Sequence, residues 1–304
     1  MNAQPQKSSV FDARVALPDA DLTRKALTLI GFDGRYARVH DRLQLLLRLA
    51  DLPTWSRKHY RQVVPLCDLI AEQCPLVVFY GDVGTGKSAT AEGIANRLVA
   101  EAGGAAQDST LFKLSNRVRG SGKVGEMGTL ITEAFQEVVQ SAGKNRRAML
   151  IIDEGDSLAS DRSQEQSHHE DKVAVNTLIQ HMDDLRKHHG RIVVFLCTNR
   201  LSALDAALLR RAAIVEEFAR PSDAERRQLL QQDLAGLNFG EQDFKALMDA
   251  TAQRSGSPPL TYSDIRTRLY PAALAKAFPG AAVTLCHFTE AAQETIPSPV
   301  VKDA

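Results

Sequence analysis

Eight residues, GDVGTGKS (81–88), follow directly on the apolar run LVVFY (76–80) and open a helical stretch in which Ile94, Ala95, Leu98 and Val99 share one side. That strand–loop–helix setting separates a phosphate-binding loop from a chance glycine-rich turn. It also commits the surrounding chain to an α/β fold, because such a loop works only where a strand delivers it to the amino end of a helix. Gly81, Gly84 and Gly86 let the backbone turn tightly, so that the N–H groups of the segment running through Asp82, Val83, Thr85 and on to Ala89 face an anion. Lys87 has the reach for β- and γ-phosphates, and Ser88 offers a hydroxyl to Mg2+, a hard cation that takes oxygen ligands.

A second apolar run, MLIIDE (149–154), ends in two carboxylates. Alone, an acidic pair after a strand is a helix cap or a solvated turn. Beside a phosphate loop it reads as hydrolytic chemistry, with Asp153 orienting the metal shell and Glu154 polarising the attacking water. A third run, IVVFLCTN (192–199), places Asn199 at its end, where an amide can bond both the lytic water and the γ-phosphate from the next strand. LDAALLRR (204–211) then presents Arg210 and Arg211, guanidinium groups suited to bidentate contact with phosphate oxygens.

Strand candidates at 110–114, 148–153, 192–197 and 213–218 alternate with helical stretches near 127–141 and 171–187, the pattern of a parallel sheet with helices on both faces. Beyond Pro221 only helical patterns remain, at 222–234, 241–250 and 262–277. The expected organisation is a mobile tail over 1–25, a large three-layer α/β/α nucleotide-binding domain over 26–220, a small all-helical lid over 221–296 and a tail over 297–304. Upstream, Val39, Leu43, Leu46, Leu47 and Ala50 recur at helical spacing, and Pro53 is expected to end that helix.

Thirty-seven basic residues balance thirty-seven acidic ones, which leaves no overall field for nucleic acid or anionic lipid, although Arg117, Arg119 and Lys123 form a local basic cluster. Cys67, Cys74, Cys197 and Cys286 lack zinc-type spacing, and three of them lie in apolar stretches; a reducing cytosol is expected. No run is long and apolar enough for a signal peptide or a membrane span, so a cytoplasmic location is expected. The polar tract SDRSQEQSHHED (160–171) reads as a solvated loop, with a metal site through His168 and His169 as the alternative.

The order of phosphate loop, IIDE, CTN, LDAALLRR and helical lid resembles the AAA+ ATPases over residues 30–278, about four fifths of the chain. Within them, IIDEGDSLASDR, NTLIQHMDDL and TNRLSALDAALLRRAAI look like the pachytene-checkpoint branch, whose substrates are HORMA-domain proteins. The resemblance implies ATP and Mg2+ as cofactors, a homo-hexameric ring and an arginine finger at Arg211 acting on the neighbour's ATP. It further implies a substrate-gripping loop in SGKVGEMGTLITEAF, with Lys123, Val124 and Gly125 at its tip, where the branch usually carries an aromatic that this chain lacks. Ile30 and Gly31 resemble the segment that walls the adenine. In YSDIRTRLYPAAL the resemblance implies a sensor over the γ-phosphate at Arg266 or Arg268, although the register sets Ser263 where the branch has its Arg.

With only some 75 residues before the phosphate loop, the chain is similar to stand-alone bacterial members encoded beside HORMA proteins and second-messenger nucleotidyltransferases. That implies a motor that disassembles the HORMA complex and silences the nucleotidyltransferase in anti-phage defence. The rival expectation is a nucleotide-switched DNA-binding ATPase, such as a helicase loader or transposition regulator.

Overall fold

The computed structural model describes residues 10–103, 108–115, 118, 125–143, 146–155, 169–254 and 256–301. Among the described residues, six strands form one sheet: β1 (Phe11–Leu17), β2 (Leu76–Gly81), β3 (Ser109–Leu114), β4 (Ala148–Ile152), β5 (Ile192–Thr198) and β6 (Ile214–Phe218), in the order β1-β3-β4-β5-β2-β6. All neighbours run parallel except β1, which pairs antiparallel with β3 at the edge.

β4 and all but the last residues of β2 and β5 are apolar because both faces are covered. Val78, Leu150, Ile152, Val194 and Leu196 point into one core, roofed by α6 (Glu126–Ser141) and α7 (His169–Asp184). Their neighbours Val77, Phe79, Met149, Ile151, Val193 and Phe195 point into the other, roofed by α2 (Phe32–Leu47) and α5 (Lys87–Ala102). The period-two alternation of strand side chains thus builds the three layers directly.

Two expectations are corrected here. Residues 10–25 are not a mobile tail: Phe11–Leu17 is an edge strand, and Asp19 caps α1 (Ala20–Leu27) by accepting from Leu22 N at 2.8 Å. Phe11 and Leu17 are buried, whereas the residues between them are exposed or half-buried, so an edge strand with one wet face carries too short an apolar signal to stand out. Nor does Pro53 end a helix. It sits in the first turn of α3 (Leu52–Tyr60), where its missing N–H costs nothing, and α4 (Pro65–Ala71) likewise opens on a proline.

Past the one-turn helix α8 (Ala206–Leu209) and β6, the chain enters the lid through residues 219–221. The lid comprises α9 (Asp223–Asp233), α10 (Glu241–Thr251), a π-helical turn (Asp264–Leu269) running into α11 (Tyr270–Ala277), and α12 (Leu285–Glu294). Its separate core holds Leu229, Leu247, Ile265, Leu269, Phe288 and, from the far end of the chain, Ile30. The last described residues are not a loose tail either, since Ser298 and Val301 are hydrogen-bonded to Asp264 and Asp82.

Candidate active site

Where β2 ends, the phosphate loop borders a cleft of about 440 Å3, faced by Asp153 and Glu154 after β4, Asn199 after β5, and Tyr262, Ser263, Arg266 and Thr267 of the lid. The parallel order brings β4, β5 and β2 side by side, so three segments far apart in sequence end at one rim. Val83, Gly84, Gly86, Lys87, Ser88 and Ala89 line the same cleft.

Gly84 shows why the loop tolerates no side chain there. Its φ is 78°, and a Cβ would come within 2.7 Å of Ser263 Cβ and Thr261 Oγ1; Ser263 N donates to Gly84 O at 3.1 Å. The lid therefore rests directly on the loop. Thr85 is buried and braces the turn by donating to Asp82 O at 2.8 Å.

Lys87 begins α5 and is buried. Its Nζ donates to Gly81 O at 2.9 Å, Asp82 O at 2.8 Å and Asn199 Oδ1 at 2.9 Å, which sets the ammonium between β2 and β5. Ser88 Oγ donates to Asp153 Oδ2 at 2.6 Å, and Asp153 Oδ1 accepts from Glu154 N at 3.1 Å. Glu154 is exposed at φ 51°, a left-handed backbone that a non-glycine residue holds only when its surroundings impose it. Gly155 follows against Leu196, with no room for a Cβ. Beneath the site, burial pushes the Cys197 thiol up to about 12, so it packs as a neutral side chain.

Asp82 faces away from the cleft. Its carboxylate accepts from Arg220 Nε at 2.5 Å and Val301 N at 2.8 Å, so only its backbone carbonyl serves the Lys87 side. Arg266 lines the cleft, but its guanidinium forks onto Asp233 at 2.7 Å and donates to Thr28 O at 2.9 Å, a pairing that also raises its pKa. Arg266, expected over the γ-phosphate, is thus placed at the cleft with its fork paired to a carboxylate. Arg268 donates to Ile296 O at 3.0 Å and lies outside the cleft lining. Ile30 packs into the lid core, and Gly31 borders a different cavity beside α5, so neither lines the phosphate cleft.

Arg210 and Arg211 also stand apart from the chain's own cleft. Asp205 caps α8 by accepting from Ala207 N, and Arg211 follows that helix. Arg211 donates to Asp183 of α7 through Nε at 2.8 Å and Nη2 at 2.7 Å, and to Ala207 O at 2.7 Å. These bonds to Arg211 hold the Asp183 carboxyl below its ordinary range and raise the arginine in turn. Arg210 is exposed beside it. Lys123 and Val124, like Arg117, Arg119, Arg162 and His168, lie outside the described residues, whereas Gly125 is described and opens α6 at φ 82°. Among the described residues, no three or more His, Cys, Asp or Glu side chains gather as a metal-holding group, and no helix is long and apolar enough to cross a membrane.

Sequence reasoning missed Asp183, Arg220 and the terminal segment around Ser298 and Val301. No periodicity marks such residues, because their roles arise from partners between 28 and 219 positions away.

A sheet ordered β1-β3-β4-β5-β2-β6, with a phosphate loop after β2 and a helical lid seated on that loop, is the fold of an AAA ATPase. The model of the ATPase family associated with various cellular activities (AAA) matches residues 77–220. Among curated relatives, CD-NTase-associated protein 6 of Escherichia coli (strain KTE188) is 59% identical over 98% of this chain and 99% of its own length. The protein of the same name from E. coli (strain MS 115-1) is 35% identical over 100% and 99%. A chain in the structure of the E. coli MS115-1 HORMA:CdnC:Trip13 complex superposes with a TM-score of 0.85 at 34% identity, over 97% of this chain and 100% of that one. Rhizobiales Trip13 gives 0.68 at 27% identity over 95% and 99%. The chain belongs to the CD-NTase-associated protein 6 family of AAA ATPases. It binds nucleotide and hydrolyses ATP as members of that class do.

Proposed function

We propose that this chain is an ATP- and Mg2+-dependent remodeller that partly unfolds or disassembles a HORMA-domain protein complex, and so shuts off its nucleotidyltransferase partner in bacterial anti-phage defence. The observation that carries this reading is full-length similarity to a chain in a HORMA:CdnC:Trip13 complex. The relatives' name, CD-NTase-associated protein 6, points the same way.

The donor set fits a nucleoside triphosphate with a hard divalent cation. Ser88 and Asp153 present a hydroxyl and a carboxylate 2.6 Å apart, the oxygen ligands Mg2+ takes, and bound Mg2+ supplies charge neutralisation across the phosphate oxygens. Lys87 can exchange its neutral acceptors for β- and γ-phosphate oxygens, with Asn199 poised beside it. Glu154, at the rim, takes the proton of the attacking water. Arg211 acts in trans on a neighbouring protomer's nucleotide, which calls for a homo-hexameric ring. The Lys123-Val124-Gly125 loop bears on the substrate, and the ring works in the cytoplasm. No observation favours the DNA-binding rival.

The test is a reconstitution. A HORMA-domain protein and its cognate nucleotidyltransferase from the same host are assembled into an active complex, and nucleotide synthesis is followed as this chain and ATP are added. Synthesis should stop with the unaltered chain and persist with Glu154→Gln. Unabated synthesis with the unaltered chain under conditions where it turns over ATP would sink the proposal.

A further inference from the structure

Asp82 occupies a position inside the phosphate loop, yet its side chain serves something other than the cleft. Arg220, in the three-residue hinge between β6 and the lid, spreads one guanidinium over three separate segments. Nε donates to Asp82 Oδ2 at 2.5 Å, Nη1 to Pro259 O at 2.7 Å, and Nη2 to Ser298 O at 2.6 Å. Val301 N then closes the circuit by donating to Asp82 Oδ1 at 2.8 Å.

The terminal segment is anchored to the lid as well. Ser298 donates to Asp264 through its backbone N at 3.1 Å and through Oγ at 2.7 Å. Asp264 Oδ2 also accepts from Thr261 N at 2.9 Å, within the turn that sets Ser263 against Gly84. The phosphate loop is therefore gripped at two points, Asp82 from behind by hinge and terminal strap and Gly84 at the cleft by the lid.

Burial decides what this arrangement is worth. The side chains of Arg220 and Asp82 are 9% and 13% exposed, so the pair is nearly desolvated, and removing one partner strands the other charge. Exposed ion pairs elsewhere on the chain, such as Arg24–Asp21, carry no such penalty. An arginine with every donor edge engaged, on a hinge, against a carboxylate of the nucleotide loop, is placed to relay movement among the three.

We propose that Arg220 and the strap 296–301 form a latch that positions the phosphate loop through Asp82, so that nucleotide affinity depends on the strap being docked. Arg220 and Asp82 are positioning residues: their side chains hold each other behind the loop and lie outside the cleft lining. Linkage makes the effect reciprocal: a nucleotide that tightens the loop stabilises the docked strap by the same factor.

The inference rests on nucleotide occupying the cleft, which an ATP titration of the unaltered chain checks on its own. Steady-state kinetics and nucleotide titration of Arg220→Ala, Arg220→Lys and Val301→Pro, in the full chain, then test the latch. Val301→Pro removes the backbone N–H given to Asp82. Arg220→Ala should raise KM and Kd for ATP by about tenfold with kcat changed far less, the factor that stranding a charge-assisted bond supplies. Arg220→Lys should recover part of that loss, since an ammonium keeps the charge but not three directions of donation. Val301→Pro should raise both by a few-fold. Hydrogen exchange at Ser298 and Val301 should slow on adding ATP to the unaltered chain, and this slowing should vanish in Arg220→Ala.

A lower Tm with KM unaltered in all three variants would reduce the network to structural glue and overturn the proposal. So would strap amides indifferent to ATP. If Arg220→Ala does not fold, Val301→Pro and the exchange measurement on the unaltered chain carry the same test.

Discussion

Lys87 and Arg211 are the two cations we propose for triphosphate contact, Lys87 within its own protomer and Arg211 on a neighbour, and the chain holds them in different ways. Lys87 donates to two backbone carbonyls and an amide oxygen around its own cleft. Arg211 forks onto the Asp183 carboxylate, away from that cleft, and must leave an ion pair before it can touch any phosphate. One half of the site is assembled within the protomer. On the proposed reading the other half is held in reserve, and its engagement depends on what a neighbour offers in exchange for Asp183.

The sharpest way to break this comparison is Arg211→Ala. Turnover by the assembled protein should fall by roughly 10³-fold or more, the value of an arginine finger, while nucleotide titration shows affinity little changed. Mixing Arg211→Ala with Lys87→Ala protomers should restore part of the activity, because each supplies what the other lacks; undiminished turnover in Arg211→Ala alone would pass the role to exposed Arg210. Next comes Glu154→Gln, for which turnover should drop by about 10²- to 10⁴-fold with ATP binding retained in a titration. Lys87→Ala should weaken ATP binding by roughly 10- to 100-fold, the range for bonds to a charged group, as read by calorimetry.

Asp183→Asn probes the reserve itself. A partly exposed pair of this kind is worth about 1 kcal/mol or less, so thermal stability should hardly change while turnover rises by up to about fivefold, the kinetic equivalent of the released pair. A fall in turnover instead would make Asp183 an orienting partner of Arg211 rather than its competitor.

The smallest effect concerns pH. Burial pushes the Asp264 carboxyl up, but bonds from Ser298 and Thr261 more than offset this, and the net shift is downward. Because the folded value lies below that of an unfolded aspartate, the contribution to stability is fully present above about pH 4 and disappears as pH falls through the folded value. A chemical-denaturation series across that acid range should show this loss, and Asp264→Asn should flatten it.

Much of this site is legible in the amino-acid sequence. Lys87, Ser88, Asp153, Glu154 and Asn199 each end or follow an apolar run, and a parallel sheet necessarily gathers such ends at one rim. The two-faced burial of β2, β4 and β5 leaves uninterrupted hydrophobic stretches that cannot be mistaken for surface. Edge strand β1 is hidden by the opposite circumstance, since one face is wet and its alternation is short. Arg266 shows a different limit: its place on a lid helix beside the cleft is legible, whereas its pairing with Asp233 is visible only in the fold.

What the sequence by itself determined were the features written in local order: the phosphate loop between strand and helix, the carboxylate pair, the alternation that stacks three layers, and the change to helices beyond Pro221. Tertiary structure decided the pairings. That Arg211 faces Asp183, that Arg220 joins the hinge, the phosphate loop and the terminal strap, and that Asp82 points backward are facts about side chains brought together across 28 to 219 residues. Backbone propensity and hydrophobic period act over a few residues and can specify an element. Which charge meets which depends on how the finished elements pack, and no local pattern records that.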